Sequence, residues 1–429
     1  MHALAHALSL AFLDGPWALA PLVERGAAVL GGRPPWLRAV ARRALATFAI
    51  APHTDHADAV TEVIRSAPSF RSAQARDPRV ARRWPAPETV MLPRRHGWTL
   101  PEIATPGALA AWLGVTPAQL EGYADLRGIN RGVSNERVKH YRVRWVAKSA
   151  GGWRALEAPK DHLKALQRKV LDEIVAQIPA HPAAHGFVRG RSALTHARAH
   201  AGRRTVLRLD LADFFASVHA TLLRAIFREA AYPDAVAARL AGICTTRTAR
   251  GDQLRRPDAR VGDALWKRLR EPHLPQGAPT SPALANLALY RVDARLHGLA
   301  LAFGATYTRY ADDLTFSCDG PVTRLAAAVE RVVRDEGFAL RPDKTRAMPS
   351  AQRQRVAGVV VNEGVAVARD EYDRLRATLH RCATRGVAYA QIACEGDPRA
   401  HLAGRVAWVA STSAKRGEKL RALLDRIAW

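Results

Sequence analysis

The chain has 429 residues, 48% hydrophobic and 24% charged, which excludes a disordered polypeptide and leaves room for two or three domains with real cores. Lys and Arg number 65 against 39 Asp and Glu, a net charge of +26 with a pI near 11.0, and this imbalance points to a polyanionic partner, most simply nucleic acid. The four cysteines, Cys244, Cys318, Cys382 and Cys394, form no C-x-x-C pair, which argues against a zinc ribbon and against a disulfide scaffold.

The opening "MHALAHALSLAFLDGPWALA" is apolar but lacks a basic start and is broken by Asp14 and Pro16, so it reads as an amphipathic helix rather than a signal peptide. No run of about 18 apolar residues occurs, so no membrane-spanning helix and no membrane partner are expected, and the cytoplasm is the expected location. Residues 1–75 read as an N-terminal helical extension, with residues 35–48 as an example, and 76–98 as a basic Pro/Arg-rich linker. Helical periodicity resumes after it, with Thr116-Pro117 as a helix start. From Tyr141 the pattern alternates around Gly151-Gly152, a hairpin signal, and residues 161–178 follow as a helix. His196 and His200 have the i, i+4 spacing of a metal pair but lack a third ligand. "RTVLRLDLADFF" is a strand running into a helix, and "LPQGAPTSPALANLAL" is a turn feeding a helix that starts at Ser281-Pro282. "ATYTRYADDLTFSCD" is a second hairpin, and "RVAGVVVNEGVAVAR" a third that turns at Asn362-Glu363-Gly364. The remainder, 370–429, is helical and basic, most clearly over residues 413–427.

The second hairpin raises a physical question, because Asp312 and Asp313 stand side by side at its tip and like charges repel. Asp210 ends another strand. Three carboxylates on strand ends could hold two divalent ions, Mg²⁺ or Mn²⁺, of the kind that stabilise both the attacking and leaving oxygens of a phosphoryl displacement. Taken singly, the motifs are equally compatible with an ordinary acidic turn. Lys148 and Arg154 flank the first hairpin turn as two cations suited to a triphosphate, and Gln276 precedes a helix start that can present donors to a nucleotide.

In their order along the chain these segments resemble the reverse transcriptases. Tyr310-Ala311-Asp312-Asp313 is similar to that family's Y-x-D-D turn, Asp210 to its first palm aspartate, and "LPQGAPTSP" to its template- and nucleotide-contacting motif. "EGFALRPDKT" is similar to the next motif, with Lys344 as its lysine, and "VAGVVVN" to the primer-grip hairpin. The resemblance runs from about residue 120 to 429, with "GFVRGRS" also family-like. Within the family the chain looks most like the bacterial retron class. "HARAH" stands where retron enzymes carry N-A-x-x-H, matching at Ala197 and His200 with His196 in place of Asn, and Val356-Ala357-Gly358 stands for V-T-G. Unlike in the reverse transcriptases of group II introns, no maturase segment or His-Asn-His nuclease is expected after the thumb.

The resemblance implies an α/β (α+β) right-hand polymerase with the N-terminal helical extension. Its fingers with preceding helices would take 99–205, a ferredoxin-like palm with fingers segments within it 206–355, and the primer-grip hairpin with a short helical thumb 356–429. It implies copying of part of a structured noncoding RNA into single-stranded DNA from a guanosine 2′-hydroxyl, leaving a branched RNA–DNA product, msDNA, bound to the enzyme. Deoxynucleotides, the cognate RNA and a separate effector protein in anti-phage defence are the implied partners. Asp210 and Asp312 would hold both metals with the carbonyl of Leu211, and Asp313 would support them. Phe215 would stack under the sugar and exclude a 2′-hydroxyl, or else be a plain core aromatic. Lys148, Arg154, Gln276 and Lys344 would contact the nucleotide, Lys344 as proton donor to pyrophosphate. RNA recognition falls to His196, His200 and Gly358, with the basic residues 413–427. The alternatives are an abortive-infection or diversity-generating reverse transcriptase, or a catalytically silent RNA-binding scaffold, which would have no use for clustered carboxylates.

Overall fold

The computed structural model describes residues 2–30, 32–52, 56–76, 91–92, 96–132, 135, 139–148, 153–248, 263–386, 389, 391 and 396–429. The chain divides into two units, Met1–Pro179 with Phe215–Ala288, and Ala180–Phe214 with Leu289–Trp429. The first unit begins with the helices His2–Leu13, Leu19–Leu30, Pro35–Thr47, Ala57–Ser66 and Pro68–Arg76. Their apolar faces meet around Leu8, Phe12, Leu22, Leu37, Val40, Ile64 and Phe70. Gly26 permits this packing, since a Cβ there would stand 2.7 Å from Leu37 Cδ1. Arg25 donates to the carbonyls of Ala11 and Phe12 at 2.6 and 2.9 Å, satisfying acceptors that the end of the first helix leaves open. The basic linker lies almost wholly outside the described residues, as does Cys394.

Next come the helices Pro106–Leu113 and Pro117–Ala124. The second starts with a capping box in which Thr116 and Gln119 satisfy each other's backbone donors. Strands β1 (Tyr141–Ala147) and β2 (Trp153–Pro159) pair antiparallel, with Ala147 opposite Trp153; the turn at Gly151-Gly152 lies outside the described residues. The expected helix 161–178 is α-helical over Asp161–Glu173 and tightens to a 3₁₀ turn at Val175–Gln177. Helices Ala220–Glu229, Asp234–Ile243, Asp263–Arg270 and Ser281–Ala288 complete this unit.

The second unit is built on β3 (Thr205–Asp210), β4 (Thr306–Tyr310), β5 (Asp313–Cys318) and β6 (Arg346–Pro349). They form one antiparallel sheet in the order β4-β5-β3-β6, so the central strand β3 pairs with two strands that follow it in sequence. This is the split strand–helix–strand order. One sheet face, carrying Tyr307, Arg309, Leu314 and Phe316, packs on helix Tyr290–Ala302, which in turn meets helix Thr323–Asp335. The other face carries Asp210, Arg208, Val206, Asp313, Thr315 and Ser317.

The third hairpin differs from its expected form. It turns tightly at Ala357 and Gly358, both left-handed with φ 45° and 87°, between β7 (Arg355–Val356) and β8 (Val359–Val360). A second reversal follows, where Val360 pairs with Ala366. Asn362 does not make the main turn. Its side chain accepts from Gln354 N at 2.9 Å and donates to the carbonyls of Ser350 and Gln352. Gly358 therefore has a backbone reason to be glycine. The C-terminal helices Arg369–Arg385, Pro398–Thr412 and Ala414–Leu424 share a core of Leu375, Leu379, Leu402, Val406 and Leu420. The fold is mixed helix and sheet. Residues 215–288 group with β1 and β2, and 180–205 with the four-stranded sheet.

Candidate active site

Asp210 is the last residue of β3 and stands opposite Asp313, the first of β5, while Tyr310 faces Asp313 from β4. Only Ala311 and Asp312 remain to reverse the chain, and Ala311 adopts φ 57° to do so. The turn is held by its neighbours. Leu211 N donates to the Asp312 carbonyl at 2.9 Å, and the Arg309 guanidinium donates to the Ala311 carbonyl at 2.9 Å. Gly186 lies so close that a Cβ would stand 2.5 Å from Ala311 N. The structure thus brings Asp210, Leu211, Asp312 and Asp313 to one end of the sheet.

Paired carboxylates in register are destabilising unless cations answer them. Lys344 places its ammonium 2.9 and 2.8 Å from the two oxygens of Asp210. Arg208 Nε donates to Asp313 Oδ2 at 2.6 Å. The other oxygen, Asp313 Oδ1, is buried without a hydrogen-bond partner. Burial pushes the Asp313 carboxyl up to about 6, with Asp312 and Asp210 adding to the rise and Arg208 opposing it. Lys344 reaches this end because the segment before it runs along the end of β3, with Ala212 N donating to Ala339 O and Arg341 N to Asp210 O, both at 2.8 Å.

Farther along the same face lies a hydrogen-bonded layer. His196 Nδ1 is 2.6 Å from the Thr308 hydroxyl and its Nε2 is 3.3 Å from that of Thr315. His200 Nε2 is 2.7 Å from the same Thr308 hydroxyl and its Nδ1 is 2.8 Å from that of Ser317. Both histidines are wholly buried. Burial lowers them, His196 to about 2 and His200 to about 3, so both are neutral. Wholly buried, neither ring is placed to touch RNA directly, which corrects that expectation. The short helix Ala193–Arg198 that carries His196 contributes Leu194 and Ala197 to a cluster with Val206, Val356, Val359 and Val361, so the "HARAH" and "VAGVVVN" segments pack together. On the opposite face, Arg309 and Asp293 form a fully buried pair at 2.9 and 2.7 Å, with Tyr307 donating to Asp293 at 2.8 Å.

A family model described as reverse transcriptase (RNA-dependent DNA polymerase) matches residues 146–361, half of the chain. Retron Mx65 reverse transcriptase of Myxococcus xanthus is 43% identical over 328 residues, 76% of this chain and 72% of that protein. The chain belongs to the bacterial retron reverse transcriptases. Retron Mx162 reverse transcriptase of the same organism is 36% identical over 353 residues, covering 78% of this chain and 69% of that one. Retron Ec86 reverse transcriptase of Escherichia coli is 30% identical over 278 residues, covering 64% and 76%. As a member of this family the enzyme is an RNA-directed DNA polymerase, with an RNA template and deoxynucleotides as substrates.

Reverse transcriptase domains depend on divalent metal. Among the described residues no three His, Cys, Asp or Glu side chains gather as a preformed metal cluster. The donors nevertheless fit a hard cation. They are all oxygens, two face each other in register, and the orphaned Asp313 Oδ1 is an acceptor held out of water. Among the described residues no helix is long and apolar enough to cross a membrane.

The remaining expected contacts of this reverse transcriptase lie in the first unit. Lys148 directly follows β1, and Arg154 is exposed on β2 opposite Val146. Gln276 is half-buried, and its carbonyl accepts from Glu157 N of β2 at 2.9 Å, so the hairpin and the "LPQG" turn are tied together. Phe215 is half-buried next to the buried Phe214. Sequence reasoning missed the supports of both regions. His273 donates to Glu157 at 2.9 Å and Thr248 donates to the same buried carboxylate at 2.7 Å. Arg208, Gly186 and the Arg309–Asp293 pair also went unread. One signal was available, since alternation along β4 puts Arg309 on the apolar face beside Tyr307, where a lone cation needs a buried partner.

Proposed function

We propose that this enzyme copies part of a structured noncoding RNA into single-stranded DNA, starting from the 2′-hydroxyl of one guanosine and leaving a branched RNA–DNA product, msDNA. The observation that carries the chemistry is the grouping of Asp210, Asp312 and Asp313 at one end of β3–β5. In this reading the four-stranded sheet is the palm, the β1–β2 unit the fingers and the C-terminal helices the thumb. Asp210, Asp312 and the Leu211 carbonyl would hold two Mg²⁺ ions. Bound there, divalent ions lower the pKa of the attacking hydroxyl and stabilise the departing pyrophosphate. Arg208 holds Asp313 in place. Lys344, already against Asp210, delivers a proton to the leaving group. Lys148 and Arg154 grip the triphosphate, Gln276 contacts the nucleotide, and Phe215 excludes ribose. Because a 2′- and a 3′-hydroxyl need the same carboxylates, the choice of primer is a matter of RNA positioning. The supports for that role are the Gly358 turn and the basic C-terminal helices. The enzyme works in the cytoplasm beside a separate effector protein in anti-phage defence.

The test uses the native RNA with its branching guanosine changed to the 2′-deoxy form. DNA synthesis from that RNA should stop while extension of an annealed DNA primer continues. DNA lacking a 2′–5′ linkage on the unmodified RNA would reject this reading.

A further inference from the structure

Residues 183–185 run along the outer edge of β4, with Arg309 N donating to Ala183 O at 2.8 Å and His185 N donating to Arg309 O at 2.7 Å. The chain then reaches Gly186, whose backbone abuts the Ala311 nitrogen of the catalytic turn. Beyond it, Arg191 ties back to the carbonyls of Pro182 and Ala184, the latter at 2.6 Å, and Ser192 caps the next helix. The segment is anchored on both sides. On this support Phe187 holds φ 61° and remains 49% exposed. A bulky side chain in the left-handed region is strained, and glycine would serve the backbone better. A half-exposed ring also forfeits much of the gain from core burial. Such strain persists where function uses it.

We propose that Phe187 is a stacking platform for an unpaired base of the RNA template beside the catalytic turn, a role that rests on the reading of Asp210, Asp312 and Asp313 as the polymerase centre. Bases within the primer–template duplex have both faces covered by their neighbours. An open π-face is offered by the template strand outside the duplex, the kind of base that aromatic side chains stack on. Arg189, exposed two residues on, adds a cation of the sort that tracks backbone phosphates.

The variant Phe187→Gly separates function from packing, because it removes the ring while suiting the backbone. Its Tm should equal or exceed that of the wild type, while the Kd for a primed RNA template weakens about tenfold, the scale of one base–aromatic stack. Phe187→Trp should bind like the wild type. A template with a single abasic position just beyond the primer should weaken the wild type by a similar factor and Phe187→Gly by no more than twofold. Unchanged Kd in Phe187→Gly, or a fall of several degrees in Tm with Kd unchanged, would overturn the proposal and make Phe187 a packing residue. Asp312→Asn serves as the separate control: DNA synthesis by that variant would sink the carboxylate reading itself, whatever Phe187 does.

Discussion

The two ends of one sheet face handle polar groups in opposite ways. At the turn end, Asp210 faces Asp313 in register, one buried carboxylate oxygen has no partner, and the Asp313 carboxyl is held near 6. At the other end, Thr315, His196, Thr308, His200 and Ser317 form a continuous chain in which neutral rings alternate with hydroxyls and each can pass one hydrogen to the next. The first end crowds carboxylates that Lys344 and Arg208 only partly satisfy, leaving Asp313 Oδ1 without a hydrogen-bond partner. The second satisfies every ring nitrogen and fixes the strands that carry the first. Strain at the turn is sustained because the layer behind it and the Arg309–Asp293 pair are over-determined.

The sharpest break of this contrast is Asp312→Asn. Primer extension with Mg²⁺ should fall by at least about 100- to 1,000-fold, the scale of losing one preorganised electrostatic group, while the melting curve stays near that of the wild type. A variant that still polymerised normally would remove the turn from the chemistry.

Arg309→Met attacks the supporting side instead. It strands Asp293 in the core, which costs about 3–5 kcal/mol and should lower Tm by roughly 10 °C, read by calorimetry. Adding Asp293→Leu should recover most of that stability. A single variant that melted like the wild type would show that the pair contributes nothing net.

Acid tests the two ends against each other. His196 and His200 are depressed from 6.5 to about 2 and 3, so below pH 6.5 the unfolded chain takes up protons that the native state refuses. Each ring then costs about 1.4 kcal/mol per pH unit. Asp313 has the opposite sign. Its folded value is about 6 against 3.8, so metal-free protein gains stability as pH falls through that window. Two rings outweigh one carboxyl, and urea midpoints of metal-free protein should fall steadily from pH 6.5 to 4.5. A flat or rising profile would mean that the histidines titrate normally.

The smallest effect concerns Asp313→Asn in metal-free protein. At pH 7.5 the variant should melt a few degrees higher, because a carboxylate held above its ordinary range is replaced by a neutral amide. The difference should shrink as pH falls below 6 and close near 3.8. A lower Tm at pH 7.5 would show that the Arg208 contact outweighs the burial of charge.

The carboxylate end was legible in the sequence because a strand–turn–strand pattern leaves Asp312 at a tip whatever the rest does, and because Asp210 ends a clear apolar strand. Helix starts were legible for a similarly local reason, as at Thr116, whose cap is made within four residues. The histidine layer was not. The i, i+4 spacing of His196 and His200 shows that they share a side, but not that Thr308, Thr315 and Ser317 wait opposite, more than a hundred residues away in sequence. Polar residues alternating along β4 and β5 look like a solvated face, and it took the helix Ala193–Arg198 to bury them. The third hairpin misled because Asn362-Glu363-Gly364 is the stronger turn signal, whereas Ala357 is a residue that seldom accepts the left-handed region.

Strand β3 is central, yet both strands that flank it are made after it. Once Asp210 has been added, 102 residues must follow before β5 begins at Asp313, and β6 comes later again. At about 5–20 residues per second that is an interval of roughly 5–20 s in which "TVLRLD" presents unpaired backbone on both edges. The segment Thr205–Asp210 is therefore made strand-forming but without its sheet partners, and it waits for them through the synthesis of residues 211–312.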